Sequence, residues 1–175
     1  MDSAAAALLA FVMLAFAGLA AVGAASWWLA PARRLERALL RRLGGPADAM
    51  VTASHRDQGV ALDFDGARLA LVRGPGDAGL IYDFDEVIGA ELLFDGEVKA
   101  RAFRGEQRKA LDQTSPQVRR VAVRLVFDDV RDPDFELELY DVGGDAESDP
   151  EGALRAARRL FSRVEAMIRR PVSAG

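Results

Sequence analysis

Residues 4 to 30 constrain this chain most, because no charged side chain interrupts them and Ser26 is their only polar side chain. A helix of this length, at about 1.5 Å per residue, extends roughly 40 Å, whereas the hydrocarbon core of a bilayer is roughly 30 Å thick. Trp27 and Trp28 lie near the end of the stretch, and indole side chains favour the headgroup level. The sequence therefore predicts an N-terminal transmembrane anchor over residues 1 to 30.

The positive charges near the stretch predict its orientation. No basic residue precedes it, and five arginines follow it: Arg33, Arg34, Arg37, Arg41 and Arg42. Because positive charge stays on the cytoplasmic side, we predict a single-pass membrane protein, with its N-terminus outside and the rest in the cytoplasm. A cleaved signal peptide is the alternative, but its positive charge would precede a shorter apolar core.

Composition limits the chemistry of the remaining chain. Without the anchor, roughly 145 residues are left, the size of one ordinary domain. There is no cysteine and only one histidine, which excludes disulfides, thiolate metal sites and sites with several histidines. Residues 51 to 149 carry 12 basic and 22 acidic side chains, so this region is a poor nucleic-acid surface.

Residues 31 to 49 are predicted to form a basic amphipathic helix and a linker. Leucines at 35, 39, 40 and 43 recur at helical spacing with arginines between them, and Gly44-Gly45-Pro46 follows. The helix could lie on the inner leaflet, where Trp27, Trp28 and the five arginines would face lipid, or it could dock on the following domain. The pattern is the same in both cases, so both alternatives stay open.

Residues 50 to 175 are predicted to form a mostly β domain with α+β character. Two hairpins are indicated, with Asp65-Gly66 and Asp95-Gly96 as their turns. Further strands are predicted at residues 80–82, 118–127 and 135–140, which gives about seven antiparallel strands. Apolar residues at three- and four-residue steps predict a C-terminal amphipathic helix over residues 150–170, and this helix would cap the sheets.

Several of these segments resemble one family. GVALD at 59–63, LALV at 69–72, YDFDEVIGAEL at 82–92 and Asp95-Gly96 are similar to a bacterial pleckstrin-homology-like (PH-like) family of unassigned function. The resemblance covers residues 58–170, and together with the predicted topology it implies a single-pass protein of the bacterial inner membrane. It implies a barrel or orthogonal sandwich capped by a helix, and a binding module without catalytic residues. After Asp95-Gly96 similar proteins often have a longer glycine-rich insertion, whereas this chain has only a polar loop.

The candidate ligand-binding residues are basic and lie on one predicted strand and its following loop: Lys99, Arg101, Arg104, Arg108 and Lys109. A phosphate or lipid headgroup would suit such a group, but a solvated charged face is the simpler interpretation because nearby acids dilute the charge. The aspartates near Asp63 and Asp83 are expected to serve turns rather than a metal. His55 is expected to be an exposed loop residue.

The function predicted from the sequence is that of a non-catalytic, membrane-anchored binding or scaffolding module, which contacts lipid through its anchor and binds a protein or peptide. Binding of an anionic lipid or phosphate headgroup by residues 99–109 is the alternative, and an accessory subunit of a membrane complex is the second. An enzyme would need a cluster of perturbed titratable groups, which the sequence does not suggest. No cofactor, metal or nucleic acid is expected, and the oligomeric state stays open.

Overall fold

A computed structural model of the chain describes Met13 and residues 31–74, 79–106, 109–110, 118–143 and 149–169. This part of the chain contains two helices and nine strands. In chain order they are α1 (Pro31–Leu43), β1 (Ala49–Ala53), β2 (Gln58–Asp63), β3 (Arg68–Val72), β4 (Leu80–Asp83), β5 (Val87–Phe94), β6 (Glu97–Phe103), β7 (Lys109–Ala110), β8 (Arg120–Phe127), β9 (Asp134–Asp141) and α2 (Pro150–Ile168). A short 3-10 turn, Ser54–Arg56, joins β1 and β2.

Both predicted hairpins are present, and local turn chemistry explains them. Strands β5 and β6 are joined by Asp95 and Gly96, which have positive φ angles of 52° and 82°. Aspartate and glycine tolerate this left-handed backbone, and two such residues suit the twist of a tight hairpin. Between β2 and β3, in contrast, Ala67 is the residue with a positive φ, at 51°.

The strands form two antiparallel sheets. The first has the order β1-β2-β3-β4, so each of its strands pairs with its neighbour in sequence. The second has the order β7-β6-β5-β8-β9, with β5 paired to both β6 and β8. Alternate side chains along each strand point to opposite faces, so each sheet turns one apolar face inward.

One hydrophobic core joins the two sheets and α2. Val60, Leu62, Leu69 and Leu71 enter it from the first sheet, and Leu92, Val121, Val123 and Leu125 enter it from the second. Helix α2 contacts β5, β6, β8 and β9 and contributes a stripe of buried side chains: Ala157, Leu160, Phe161, Val164, Met167 and Ile168. Within this core, the rings of Tyr82 and Phe127 stack with centroids 4.1 Å apart.

Helix α1 packs on the other face of the first sheet, which decides between the two alternatives left open for it. Leu35, Leu39 and Leu43 are buried there against Ala61, Ala70 and Val72. Small residues on the sheet allow the helix to approach closely. A Cβ atom placed on Gly59 would lie only 2.9 Å from Leu39 Cδ1, so glycine at this position makes room for the leucine.

The predicted membrane topology is contradicted. Among the residues that the structure describes, no helix is long and apolar enough to cross a membrane. Helix α1 has five arginines in 13 residues, and α2 has a polar outer face. Residues 4 to 30, on which the prediction rested, lie outside the described residues apart from Met13. The transmembrane fold class, the single-pass anchor and the inner-membrane location are therefore not retained.

The predicted strand number is also corrected, from about seven to nine in the described residues. Strand β1 was missed because only its ends, Ala49 and Ala53, are buried, so it lacks a clear apolar alternation. Strand β7 was missed because it is two residues long and lies within a polar segment. Strand β1 also starts one residue before the predicted domain boundary at residue 50.

Candidate functional site

The sequence-predicted basic group is only partly brought together. Lys99 Nζ lies 2.6 Å from Glu97 Oε2, and Arg101 Nη2 lies 3.4 Å from Glu106 Oε2. Arg101 also lies over the Phe103 ring, 6.0 Å from its centroid. Lys109 pairs with Arg101 in the register of β6 and β7, whereas Arg108 lies outside the described residues.

Arg104 has a structural role. Its Nη2 atom donates hydrogen bonds to the backbone carbonyls of Phe84, at 2.9 Å, and Val87, at 3.1 Å. These contacts tie the end of β6 to the turn between β4 and β5. Because buried or half-buried carbonyls need a partner, a ligand at Arg104 would have to replace these two bonds.

Three of the five arginines predicted to face lipid line a groove on the outer side of α1. Among the described residues, Arg34, Arg37, Leu40 and Arg41 line an open cavity of about 320 Å³, which we call the arginine groove. Arg34 and Arg41 are exposed, and Leu40 is half-buried. Trp27 and Trp28, the other residues predicted to face lipid, lie outside the described residues.

Local contacts order the arginine side chains along the helix. Arg37 Nε donates to the carbonyl of Arg33 at 3.0 Å, and Arg41 Nε donates to the carbonyl of Arg37 at 3.2 Å. Arg33 forms an ion pair with Glu36 at 3.3 Å, and Glu36 is the only acid among residues 31–43. The outer face of α1 therefore has a strong positive charge on a helix that is fixed to the sheet.

The sequence analysis missed a row of ion pairs across β5, β8 and β9, which we call the charge ladder. Its nitrogen–oxygen distances are 3.0 Å for Glu91–Arg124, 3.0 Å for Arg124–Glu136, 2.6 Å for Glu136–Arg120, 2.7 Å for Arg120–Glu138, 2.6 Å for Glu138–Arg56 and 3.5 Å for Arg56–Asp141. The alternation of these charges along the strands was visible in the sequence, but their pairing depends on strand register.

The ladder ends at the outer edge of β9, where the segment between β1 and β2 covers the strand. The Gln58 side-chain oxygen accepts the Glu138 N–H at 3.3 Å. His55, expected to be exposed, has a side chain that is only 10% exposed, with Nε2 3.6 Å from Glu138 Oε1. The expectation was wrong because the 3-10 turn packs this histidine beside a distant strand.

Electrostatics at Glu138 favour the ionised carboxylate. Burial by itself raises the pKa of Glu138, but hydrogen bonds from Arg56 and Arg120 and their positive charges outweigh burial, so its pKa lies below the ordinary value of 4.5. The hydrogen bond with Glu138 raises the pKa of Arg120 in turn. A lowered carboxyl pKa at Glu138 and a raised guanidinium pKa at Arg120 are both expected for a tight ion pair.

Glu138→Gln should lower the free energy of unfolding at pH 7 by about 1 to 3 kcal/mol, because charged hydrogen bonds to two arginines are lost. The pKa of Glu138 is lower in the folded chain, so its contribution is present above the ordinary glutamate pKa and is lost as the pH falls through the folded value. Denaturant unfolding at several pH values measures the difference between the two proteins, which should vanish in acid.

Glu151→Gln is the matched control, since Glu151 pairs with Arg155 on the exposed side of α2 and such pairs contribute little. A difference between wild type and Glu138→Gln that stays constant from neutral to acid pH would contradict the role of the ionised carboxylate.

The turn between β8 and β9, residues 128–133, is held by several hydrogen bonds. Asp129 accepts the N–H of Arg131 at 2.8 Å and the hydroxyl of Tyr82 at 3.1 Å. The N–H of Asp128 donates to the carbonyl of Glu86 at 2.8 Å. The hydrogen bond from the Arg131 N–H is the largest effect on the Asp129 carboxyl, and it lowers the pKa of Asp129. Burial and the hydrogen bond to Asp129 raise the pKa of Tyr82 to about 12.

Comparison with protein-family models gives no match, and comparisons with curated proteins and with solved structures give no significant match. The likeness of residues 58–170 to the PH-like family therefore stays a prediction. Of the aspartates considered for a metal, Asp63 accepts the N–H of Gly66 at 2.8 Å and pairs with Arg68 at 2.9 Å.

Proposed function

We propose that this protein is a non-catalytic binding module whose ligand is an acidic segment of a protein or peptide, bound in the arginine groove. The observation that carries this proposal is that Arg34, Arg37, Arg41 and Leu40 line the same open cavity of about 320 Å³. Planar guanidinium groups suit carboxylates because they form two parallel hydrogen bonds with them.

The shape and composition of the groove favour a polypeptide over a small anion. Leu40 contributes apolar surface beside the cations, and a free phosphate would gain nothing from it. A segment with alternating acidic and apolar side chains would satisfy both kinds of surface. Exposed ion pairs contribute only about 0.2 to 1 kcal/mol each, so binding should be weak and sensitive to salt.

The fixed position of α1, whose outer face carries the groove, also supports a binding function. Leu35, Leu39 and Leu43 fix α1 to the first sheet, so the backbone of the helix need not become ordered when a ligand binds. This lowers the entropic cost of association. The alternative headgroup site at residues 99–109 has less support, because Lys99 and Arg101 are paired with acids and Arg104 binds backbone carbonyls.

Fluorescence anisotropy with the full-length chain tests the proposal. The probe is a labelled peptide of alternating glutamate and leucine, compared with peptides in which lysine or glutamine replaces glutamate. We expect the acidic peptide alone to bind, and rising salt to weaken it. Arg34→Glu combined with Arg41→Glu should weaken binding about tenfold, which corresponds to about 1.4 kcal/mol.

Arg159→Glu combined with Arg163→Glu is the matched control, because both arginines are exposed on α2 and the double variant changes the net charge equally. The control should leave affinity nearly unchanged. Equal losses in the two double variants would show that only overall charge matters, and no binding of the acidic peptide to wild type would refute the proposed function.

A further inference from the structure

The turn between β8 and β9 has the features that the arginine groove should recognise. Val130 is 100% exposed at this turn. Three aspartates, Asp128, Asp129 and Asp132, and one exposed arginine, Arg131, surround it in the sequence, so the turn keeps a net negative charge. A single exposed valine is ordinary on a protein surface. Here, however, an apolar side chain projects from an acidic turn on the same chain that presents Leu40 among arginines, so the two surfaces are complementary in both charge and polarity.

We propose that the segment bound in the arginine groove is the β8–β9 turn of a second copy of this chain. The inference rests on the proposed function and names its partner. Val130 would contact Leu40, and the exposed Asp128 would meet the guanidinium groups of Arg34 and Arg41. Asp128 is exposed and, among the residues that the structure describes, forms no ion pair, so its carboxylate is accessible.

The turn is ordered before it binds. The Phe127 N–H donates to the carbonyl of Pro133 at 2.8 Å, closing the turn, and an ion pair between Arg73 and Asp132 holds it beside β3. Together with the bonds of Asp129, these contacts fix the place from which Val130 projects. A rigid segment loses little conformational entropy on binding, which partly offsets the small size of this contact.

The two surfaces lie on different elements, which determines the kind of assembly. The groove belongs to α1 on the outer side of the first sheet, whereas the turn ends strands of the second sheet. A contact between two different patches is heterologous, so each bound copy still presents a groove and a turn to further copies. The assembly should therefore grow with concentration instead of stopping at a dimer.

Sedimentation velocity of the full-length chain over a hundredfold range of concentration tests this inference. The average mass of wild type should rise with concentration and fall with added salt. Asp128→Arg and the Arg34→Glu, Arg41→Glu double variant should each associate at least fivefold more weakly. Glu97→Arg is the matched control and should behave as wild type, since Glu97 is also an exposed acid but follows the β5–β6 turn, at the opposite end of β8 from residues 128–133.

Mixing the two weakened variants gives the decisive measurement. In each variant alone, the groove and the turn have charges of the same sign. In the mixture, the acidic groove of the Arg34→Glu, Arg41→Glu variant can bind the basic turn of Asp128→Arg, and the unchanged groove and the unchanged turn can also bind each other. Association should therefore return only in the mixture. Contacts through other parts of the chain are common to all variants and cannot produce this pattern.

The outcomes separate the two proposals. Wild type that stays monomeric, or variants that associate as wild type does, would refute the self-association even if the acidic peptide binds. Asp128→Arg keeps an intact groove, so it should still bind that peptide with wild-type affinity. If wild type does not bind the peptide, the proposed function itself fails.

Discussion

Phe161→Ala is expected to lower the free energy of unfolding by about 3 to 5 kcal/mol, because it removes a ring from the centre of the core and leaves a cavity. The side chain is only 3% exposed, on the face of α2 that packs against the second sheet. Equilibrium denaturation followed by circular dichroism measures this loss. The denaturation midpoint should fall while the slope of the transition stays nearly constant.

Ser162→Ala is the control for helix propensity, because Ser162 is the next residue along α2 and is exposed. It should change stability little. If the midpoint of Phe161→Ala were the same as that of Ser162→Ala, α2 would not contribute to the core of this domain.

Leu39→Ala is expected to lower the free energy of unfolding by about 2 to 5 kcal/mol. Leu39 is completely buried and contacts the first sheet above Gly59. Its cluster is separate from the main core, so the loss should be accompanied by faster hydrogen exchange in residues 31–43. Denaturation and exchange measured on the same sample test both parts of this prediction.

Leu40→Ala is the matched control, since Leu40 is the neighbouring leucine but lines the arginine groove. It should affect stability much less than Leu39→Ala, and it should instead weaken binding of the acidic peptide. Equal and small stability effects at both positions would contradict the docking of α1 on the sheet.

The hairpins could be predicted from the sequence because the residues that determine them are adjacent in the chain. Asp95 and Gly96 supply the left-handed backbone that a tight turn requires, and apolar alternation on either side defines the strands. Helix α2 was equally predictable, because its apolar stripe repeats over five turns and Pro150 lies at its first position.

The position of α1 could not be predicted, because its amphipathic pattern is the same whether its leucines face lipid or protein. The leucines face protein because the first sheet offers them a face of small residues, formed by Gly59, Ala61 and Ala70. The relevant residues lie in strands that follow α1 in sequence, and their shared face exists only after β2 and β3 have paired.

The candidate site was harder to predict because cations that are close in sequence have different partners. Arg101 pairs with an acid, whereas Arg104, three residues later, binds the carbonyls of Phe84 and Val87. The charge ladder depends on contacts such as Arg56–Glu138, between residues 82 positions apart. Composition shows that such charges exist, but only the folded chain determines which of them are already neutralised.

The cover on the outer edge of β9 affects how this chain behaves at high concentration. An uncovered edge strand presents unpaired N–H and C=O groups, and these can recruit a strand of another molecule into a growing sheet. At Glu138 the N–H is already bonded to Gln58, and Arg56 crosses the same edge to reach Asp141. This edge should therefore resist amyloid-like stacking with strands of other molecules.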